Sequence, residues 1–176
     1  MSSADLLLLK EFLSSTNKVA SRLAWSCSRV DDLLPLDAAG VGALGEEDIE
    51  RLDAFLYRFN SLTAMLQDHI IRALLKAEEE DISDRSRKDQ RLLLEKLGAL
   101  KPRLNFGTIA ELRNRLAHVY PEDNAKQAEI LNQAFERSSD LLEIYNDALD
   151  YANRKFFAMT LGLPAAIVPD PPTPSR

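Results

Sequence analysis

Apolar and small residues recur at alternating intervals of three and four between residues 49 and 74, and this spacing restricts the fold more than any other feature of the chain. It places the side chains on one face of an α-helix, and that face must pack along a neighbouring helix. The first stripe comprises Ile49, Leu52, Leu56, Phe59, Thr63, Leu66, Ile70 and Leu74, and a second comprises Leu131, Phe135, Ser138, Leu142, Tyr145, Leu149, Ala152 and Phe156. Two long packed helices are therefore predicted.

Residues that interrupt helices are rare in the body of the chain. There are only six glycines, and most of the eight prolines lie beyond residue 160. Such a composition favours helices over strands. We therefore predict an all-α fold, an antiparallel bundle of four long helices with one short helix. The long helices are expected near residues 4–30, 46–80, 84–97 and 123–156.

The ends of these segments suggest specific boundaries. Thr108, with Glu111 three residues later, is expected to begin the short helix through a capping box. A single domain is expected over residues 1–160. The proline-rich residues 161–176 are expected to form a disordered tail.

Charge and cysteine content exclude several classes of protein. The net charge of −6 disfavours a protein that coats nucleic acid through bulk charge, although one short stretch of RNA in a locally basic cleft remains compatible. The single cysteine, Cys27, cannot form an internal disulfide and is expected to be a small buried hydrophobe. Neither a signal peptide nor a membrane span is visible, so a cytoplasmic protein with no membrane partner is expected.

The short predicted helix carries the one segment that suggests chemistry. At about 100° per residue, its core-facing stripe comprises Ile109, Leu112, Leu116 and Val119. Asn114 and His118 then share nearly the opposite face, and Arg113 and Arg115 flank the stripe on either side. A histidine and an amide therefore lie away from the core, with arginines beside them.

These residue types suit the cleavage of RNA, which carries its own nucleophile in the 2′-hydroxyl. His118 can move protons near neutral pH, and Arg113 can bind the crowded phosphorane through its permanently charged fork. Asn114 can orient the imidazole or bind the phosphate. No second histidine or cysteine lies near His118 to build a metal site, so neither a metal nor another cofactor is required.

The spacing of the two catalytic candidates bears on the assembly. Arg113 and His118 are five residues apart, which separates them by about 140° on a regular helix. They converge only if the helix is distorted near Pro121 or if a second subunit completes the site. A symmetric homodimer would supply the second motif.

The order Arg113, four residues, His118, one residue, Tyr120 resembles the R-x-x-x-x-H-x-Y motif of the HEPN superfamily. Asn114 after the arginine is similar to the HepT branch, and a weaker resemblance extends over residues 46–145. The resemblance implies a helical bundle that pairs as a homodimer and acts as a ribonuclease toxin. It also implies a neighbouring MntA-like nucleotidyltransferase antitoxin that adenylylates the motif tyrosine, here Tyr120.

Two other functions remain open at this point. A non-catalytic HEPN subunit that binds substrate for, or regulates, a nucleotidyltransferase agrees with the acidic net charge, although the intact arginine, histidine and tyrosine favour the nuclease. A helical interaction domain with an accidental motif is the third possibility. A small nucleotidyltransferase in the neighbouring gene would support the first two and exclude the third.

Several residues outside the motif have two interpretations. The basic run that includes Arg87 and Lys88 is either a solvated face or, together with Arg115, a set of RNA contacts. His69 is expected to have a structural or interface role rather than a catalytic one. Trp25 is expected to pack in the protein rather than to stack on bases.

Overall fold

In the computed structural model, residues 2–116, 123–157 and 163–167 are described, and they form helices and connections without a β-strand. The helices are α1 (Ser3–Val30), α2 (Ala38–Gly42), α3 (Glu46–Met65), α4 (Ile71–Ala77), α5 (Arg87–Lys96), α6 (Phe106–Leu116) and α7 (Asn124–Phe156). A π-helical turn, Leu66–Ile70, joins α3 to α4, and a 3-10 turn, Pro102–Leu104, precedes α6. The prediction of an all-α fold is confirmed.

Helix α1 begins with a capping box and buries one face. The Ser2 hydroxyl accepts a hydrogen bond from the Asp5 amide at 3.1 Å, and the Asp5 carboxylate accepts one from the Ser2 amide at 3.2 Å. The buried face packs along α3 and includes Leu23. Trp25 is 56% exposed, so the expectation that it packs in the protein is wrong. Trp25 follows the buried Leu23 by two residues, so its side chain lies about 200° around the helix from that of Leu23 and points away from the core.

Helices α3 and α4 form one continuous helical run that supplies the first predicted stripe. The stripe is buried from Leu52 to Leu74, apart from the half-buried Leu56. Ile49 at the start of the helix is 43% exposed. Helix α7 supplies the second stripe, and Tyr145 within it is fully buried with its hydroxyl donating to the Leu13 carbonyl at 3.0 Å.

The third predicted helix is shorter than expected. Helix α5 has 10 residues, and its N-cap is Ser86, whose hydroxyl accepts from the Asp89 amide at 3.1 Å. The Asp81 carboxylate instead accepts hydrogen bonds from the Ser83 amide and hydroxyl in a turn. The prediction that the helix begins near residue 84 is therefore wrong. Gly98 follows the helix at a φ of 77°, the left-handed conformation that ends helices. The long helical segments of the described chain are therefore α1, α3 with α4, and α7.

Helix α6 begins two residues before the predicted capping box. Asn105 has a left-handed φ of 43°, and it turns the chain from the 3-10 turn into α6. The Thr108 hydroxyl donates to the Asn105 carbonyl at 2.8 Å, so it lies inside the first turn and does not cap it. The predicted capping box of Thr108 and Glu111 is therefore wrong.

Part of the proline-rich tail is ordered against the core. The Asn146 side chain accepts from the Ile167 amide and donates to the Ile167 carbonyl, both at 2.8 Å. Asn17 donates to the Ala165 carbonyl at 3.0 Å, and Leu163 and Ile167 pack on the core. Residues 163–167 are therefore held against the core, and the rest of the predicted tail lies outside the described residues. Across the described ranges, no helix has both the length and the apolar character needed to cross a membrane.

Candidate active site

The structure describes only part of the predicted site. Arg113, Asn114 and Arg115 lie on the last turn of α6, which ends at Leu116. His118 and Tyr120, together with the predicted limit of the helix at Pro121, lie outside the described residues. The convergence of Arg113 and His118 therefore stays a prediction.

The core-facing stripe of α6 fixes the orientation of the motif. Ile109 and Leu112 are buried, and Leu116 is half-buried against the core. The helix packs on α7 and on α3. Asn114 is exposed, in agreement with its predicted position away from the core. The helical phase read from the sequence therefore holds through the described part of the motif.

Arg115 is occupied by a network with α7. Its guanidinium lies 2.9 Å from a Glu129 carboxylate oxygen and donates to the Gln133 amide oxygen at 3.0 Å. The Gln133 amide also donates to Glu129 at 2.9 Å. The hydrogen bond from Arg115 lowers the pKa of the Glu129 carboxyl below its ordinary value. These side chains are largely exposed, so the pair contributes little stability, but it directs Arg115 towards α7.

Arg113 differs from Arg115 in both burial and partners. Its side chain is half-buried, and it makes no hydrogen bond or ion pair with any described residue. A guanidinium that is partly withdrawn from water and lacks a carboxylate partner retains its capacity to bind an anion in a bidentate manner. Of the two arginines, Arg113 is therefore the better placed to receive a phosphate.

A cleft of about 300 Å³ lies beside the end of α6. Its walls are mostly apolar, with one carboxylate and one amide among them. They comprise Leu44, Ile49, Leu52, Asp53, Leu56, Leu116, Gln127, Ile130 and Leu131. Small-molecule sites have this character, an apolar pocket with few polar groups. The sequence offered no signal for this cleft, because it forms where three separate helices and the segment before α3 meet.

The basic run on α5 meets other parts of the protein. The Arg87 guanidinium lies 2.8 Å from an Asp68 carboxylate oxygen. The Arg91 guanidinium covers the start of α6, where a Cβ atom on Gly107 would come within 2.9 Å of it. Lys88 is exposed. The roles of Arg87 and Lys88 in RNA binding stay predictions, and Arg87 would first have to leave Asp68.

His69 and Cys27 have structural surroundings. The His69 ring stacks on Phe12 with the ring centroids 4.7 Å apart, which agrees with a structural role. Cys27 is half-buried against the core, and burial raises the pKa of its thiol to about 11. A thiol of that pKa is protonated and unreactive near neutral pH.

Within the described ranges, no three His, Cys, Asp or Glu side chains cluster as metal ligands would. Comparisons of the chain with protein-family models, with curated proteins and with solved structures find no match.

Proposed function

We propose that the protein is a metal-independent endoribonuclease of the HEPN type and the toxin of a prokaryotic toxin–antitoxin pair. The observation that carries the proposal is the state of Arg113. It is half-buried at the end of α6 without an ionic partner among the described residues, whereas Arg115 is held by Glu129. A half-buried guanidinium with no carboxylate partner among the described residues is suited to binding a phosphodiester.

The proposed reaction uses only groups of the RNA and of the protein. His118 removes the proton of the 2′-hydroxyl, and the 2′-oxygen attacks the adjacent phosphorus. The bond from phosphorus to the 5′-oxygen breaks, an imidazole returns the proton to that oxygen, and a 2′,3′-cyclic phosphate remains. Arg113 stabilises the charge on the phosphorane, and Asn114 orients the imidazole or binds a phosphate oxygen.

The proposal is tested with purified protein and end-labelled RNA in the presence of a chelator. Cleavage should continue at an unchanged rate, because no step requires a metal ion. The same protein after addition of magnesium is the control. Activity that disappears in chelator and returns with magnesium would overturn the mechanism.

A two-fold homodimer is expected in solution. Arg113 and His118 lie about 140° apart on a regular helix, so a second copy of the motif would complete one site unless the helix is distorted near Pro121. Light scattering at micromolar concentration should give about twice the chain mass of 19.7 kDa. A stable monomer with full nuclease activity would refute the shared site.

Control by a nucleotidyltransferase antitoxin is expected at Tyr120. An adenylyl group there would add a phosphate two residues from His118, where it would engage Arg113 or Arg115 in place of the substrate phosphate and block the proposed site. Mass spectrometry after co-expression with the partner and ATP should find the adenylyl group on Tyr120. Tyr57→Phe, at a tyrosine that is 72% exposed, should still be neutralised, whereas Tyr120→Phe should escape. Full neutralisation of Tyr120→Phe would show that the partner acts by binding alone.

A further inference from the structure

The exposed face of α1 is basic although the whole chain is acidic. Residues 12–30 contain no aspartate or glutamate, in a protein whose net charge is −6. The exposed side chains on the second half of this face are Ser15, Lys18, Ser21, Arg22, Trp25, Ser28 and Arg29. Their spacing of three and four places them along one side of the helix. Positive charge is therefore concentrated in one stripe.

Helix α3 adds a second aromatic residue and a further arginine to this stripe. The Arg58 guanidinium lies over the Trp25 ring, 5.2 Å from its centroid, and also hydrogen bonds to the Ser26 hydroxyl. These contacts place the guanidinium against one face of the indole. Trp25 is 56% exposed and Tyr57 is 72% exposed. Both rings therefore present surface to solvent in the region of Arg58.

A groove of about 470 Å³ separates α1 from α3 at this place. It is lined by Val19, Arg22, Asp53, Ala54, Tyr57, Arg58 and Ser61. Asp53 also lines the cleft that reaches Leu116 at the end of α6. The groove and that cleft therefore adjoin along α3, and the cleft extends to Leu116 of α6, the helix that also carries Arg113.

We propose that this groove and the adjoining exposed face of α1 bind single-stranded RNA. Bases would stack on Tyr57 in the groove and on Trp25 beside it, and phosphates would be held by Arg22, Arg29 and Arg58. Exposed aromatic rings interleaved with basic side chains are the features by which single strands are held without sequence readout. The inference rests on the proposed ribonuclease function and extends it. The groove would hold the strand while the neighbouring site cuts it.

The composition of the stripe favours RNA over a membrane or a second copy of the chain. A membrane-binding face presents several large apolar side chains, whereas Trp25 stands among serines and cations. A two-fold contact through this face would bring Arg22 and Arg29 close to the same residues of the other copy, and like charges would oppose it. A polyanion with exposed bases suits both the charge and the rings.

Trp25 is the single tryptophan of the chain and contacts Arg58, which lines the groove, so its fluorescence reports on the proposed RNA-binding surface. The full-length protein is titrated with a short 2′-O-methyl oligoadenylate, which cannot be cleaved through the 2′-oxygen. Saturable quenching that weakens with added salt is expected, because stacking quenches the indole and phosphate contacts release counterions. A duplex of the same length should quench little, since its base faces are covered. Absence of quenching, or equal quenching by the duplex, would overturn the proposal.

Matched variants separate stacking from charge. Tyr57→Ala should weaken binding about tenfold or more, whereas Leu92→Ala, at another exposed apolar side chain, should leave it unchanged. Arg22→Ala should weaken binding and lower the salt slope by about one, whereas Arg154→Ala should do neither. Asp53→Asn should strengthen binding by removing a negative charge from the groove. Equal losses of RNA affinity in Tyr57→Ala and Leu92→Ala, or in Arg22→Ala and Arg154→Ala, would contradict the proposed binding surface.

Further measurements distinguish RNA from a membrane or a second copy of the chain as the ligand of this surface, and separate failure of RNA binding from failure of the proposed nuclease activity. A shift of Trp25 emission with anionic phospholipid vesicles but not with RNA, or a change from dimer to monomer in Trp25→Ala, would overturn the proposal. Quenching without any cleavage of ordinary RNA would support the groove and refute the nuclease. Cleavage without quenching would refute the groove and leave the nuclease standing.

Discussion

Arg113→Ala is expected to lower the rate of RNA cleavage by about 10²–10³-fold, the loss typical when one preorganised donor to a developing negative charge is removed. Arg113 is half-buried and has no ionic partner among the described residues, so its removal should cost catalysis rather than folding. His118→Ala is expected to cost about 10²–10⁴-fold through loss of general acid–base catalysis. Initial rates on labelled RNA, with circular dichroism to confirm the fold, measure both effects.

Arg115→Ala is the matched control for Arg113 on the same helix turn. Because its guanidinium is engaged by Glu129 and Gln133, removing it should reduce cleavage much less. Arg113→Lys should recover only part of the rate, since an ammonium keeps the charge but loses the bidentate fork. Equal losses at both arginines, or an unchanged rate in Arg113→Ala, would show that the phosphate is bound elsewhere.

Phe55→Ala is expected to lower the free energy of unfolding by about 3–5 kcal/mol, the range for deletion of a buried aromatic ring. Phe55 is fully buried, with its ring centroid 6.4 Å from that of Phe59 and 6.2 Å from that of Phe135. The ring therefore joins α3 to α7, and its loss leaves a cavity between the helices that hold α6. Urea denaturation followed by circular dichroism measures the change.

Tyr57→Ala supplies the control for this measurement on the same helix. Tyr57 is 72% exposed, so the substitution should change the free energy of unfolding of the protein by no more than about 0.5 kcal/mol. A loss of comparable size in the two variants would contradict the packing of α3. If the stability of Tyr57→Ala is unchanged, any loss of RNA binding by this variant can be attributed to the missing ring rather than to unfolding.

The long helices could be predicted because their periodicity reflects the faces that they bury. The start of α6 could not, because it depends on the left-handed backbone at Asn105 rather than on the capping pattern of Thr108. Composition likewise predicted disorder for residues 163–167, where Asn146 and Asn17 provide tertiary hydrogen bonds that the tail itself does not encode.

The motif was visible in the sequence, but the difference between its two arginines was not. Both flank the core-facing stripe of α6, so their positions on the helix alone do not predict which of them has an ionic partner. Glu129 and Gln133 distinguish them by engaging Arg115 from α7, a contact across 14 or more residues of chain. The exposure of Trp25 follows from its position about 200° from the buried Leu23 on α1, whereas its contact with Arg58 of α3 depends on the tertiary arrangement.

The ends of the RNA fragments test the proposed chemistry most directly. Wild-type protein is incubated with a defined RNA in chelator, and the products are analysed by mass spectrometry beside those from His118→Ala. The expected result is fragments that end in a 2′,3′-cyclic phosphate or its 3′-phosphate hydrolysis product, with 5′-hydroxyl ends on the other side and almost none from the variant. Fragments with 3′-hydroxyl and 5′-phosphate ends, or cleavage only after magnesium is added, would contradict an Arg113–His118 ribonuclease.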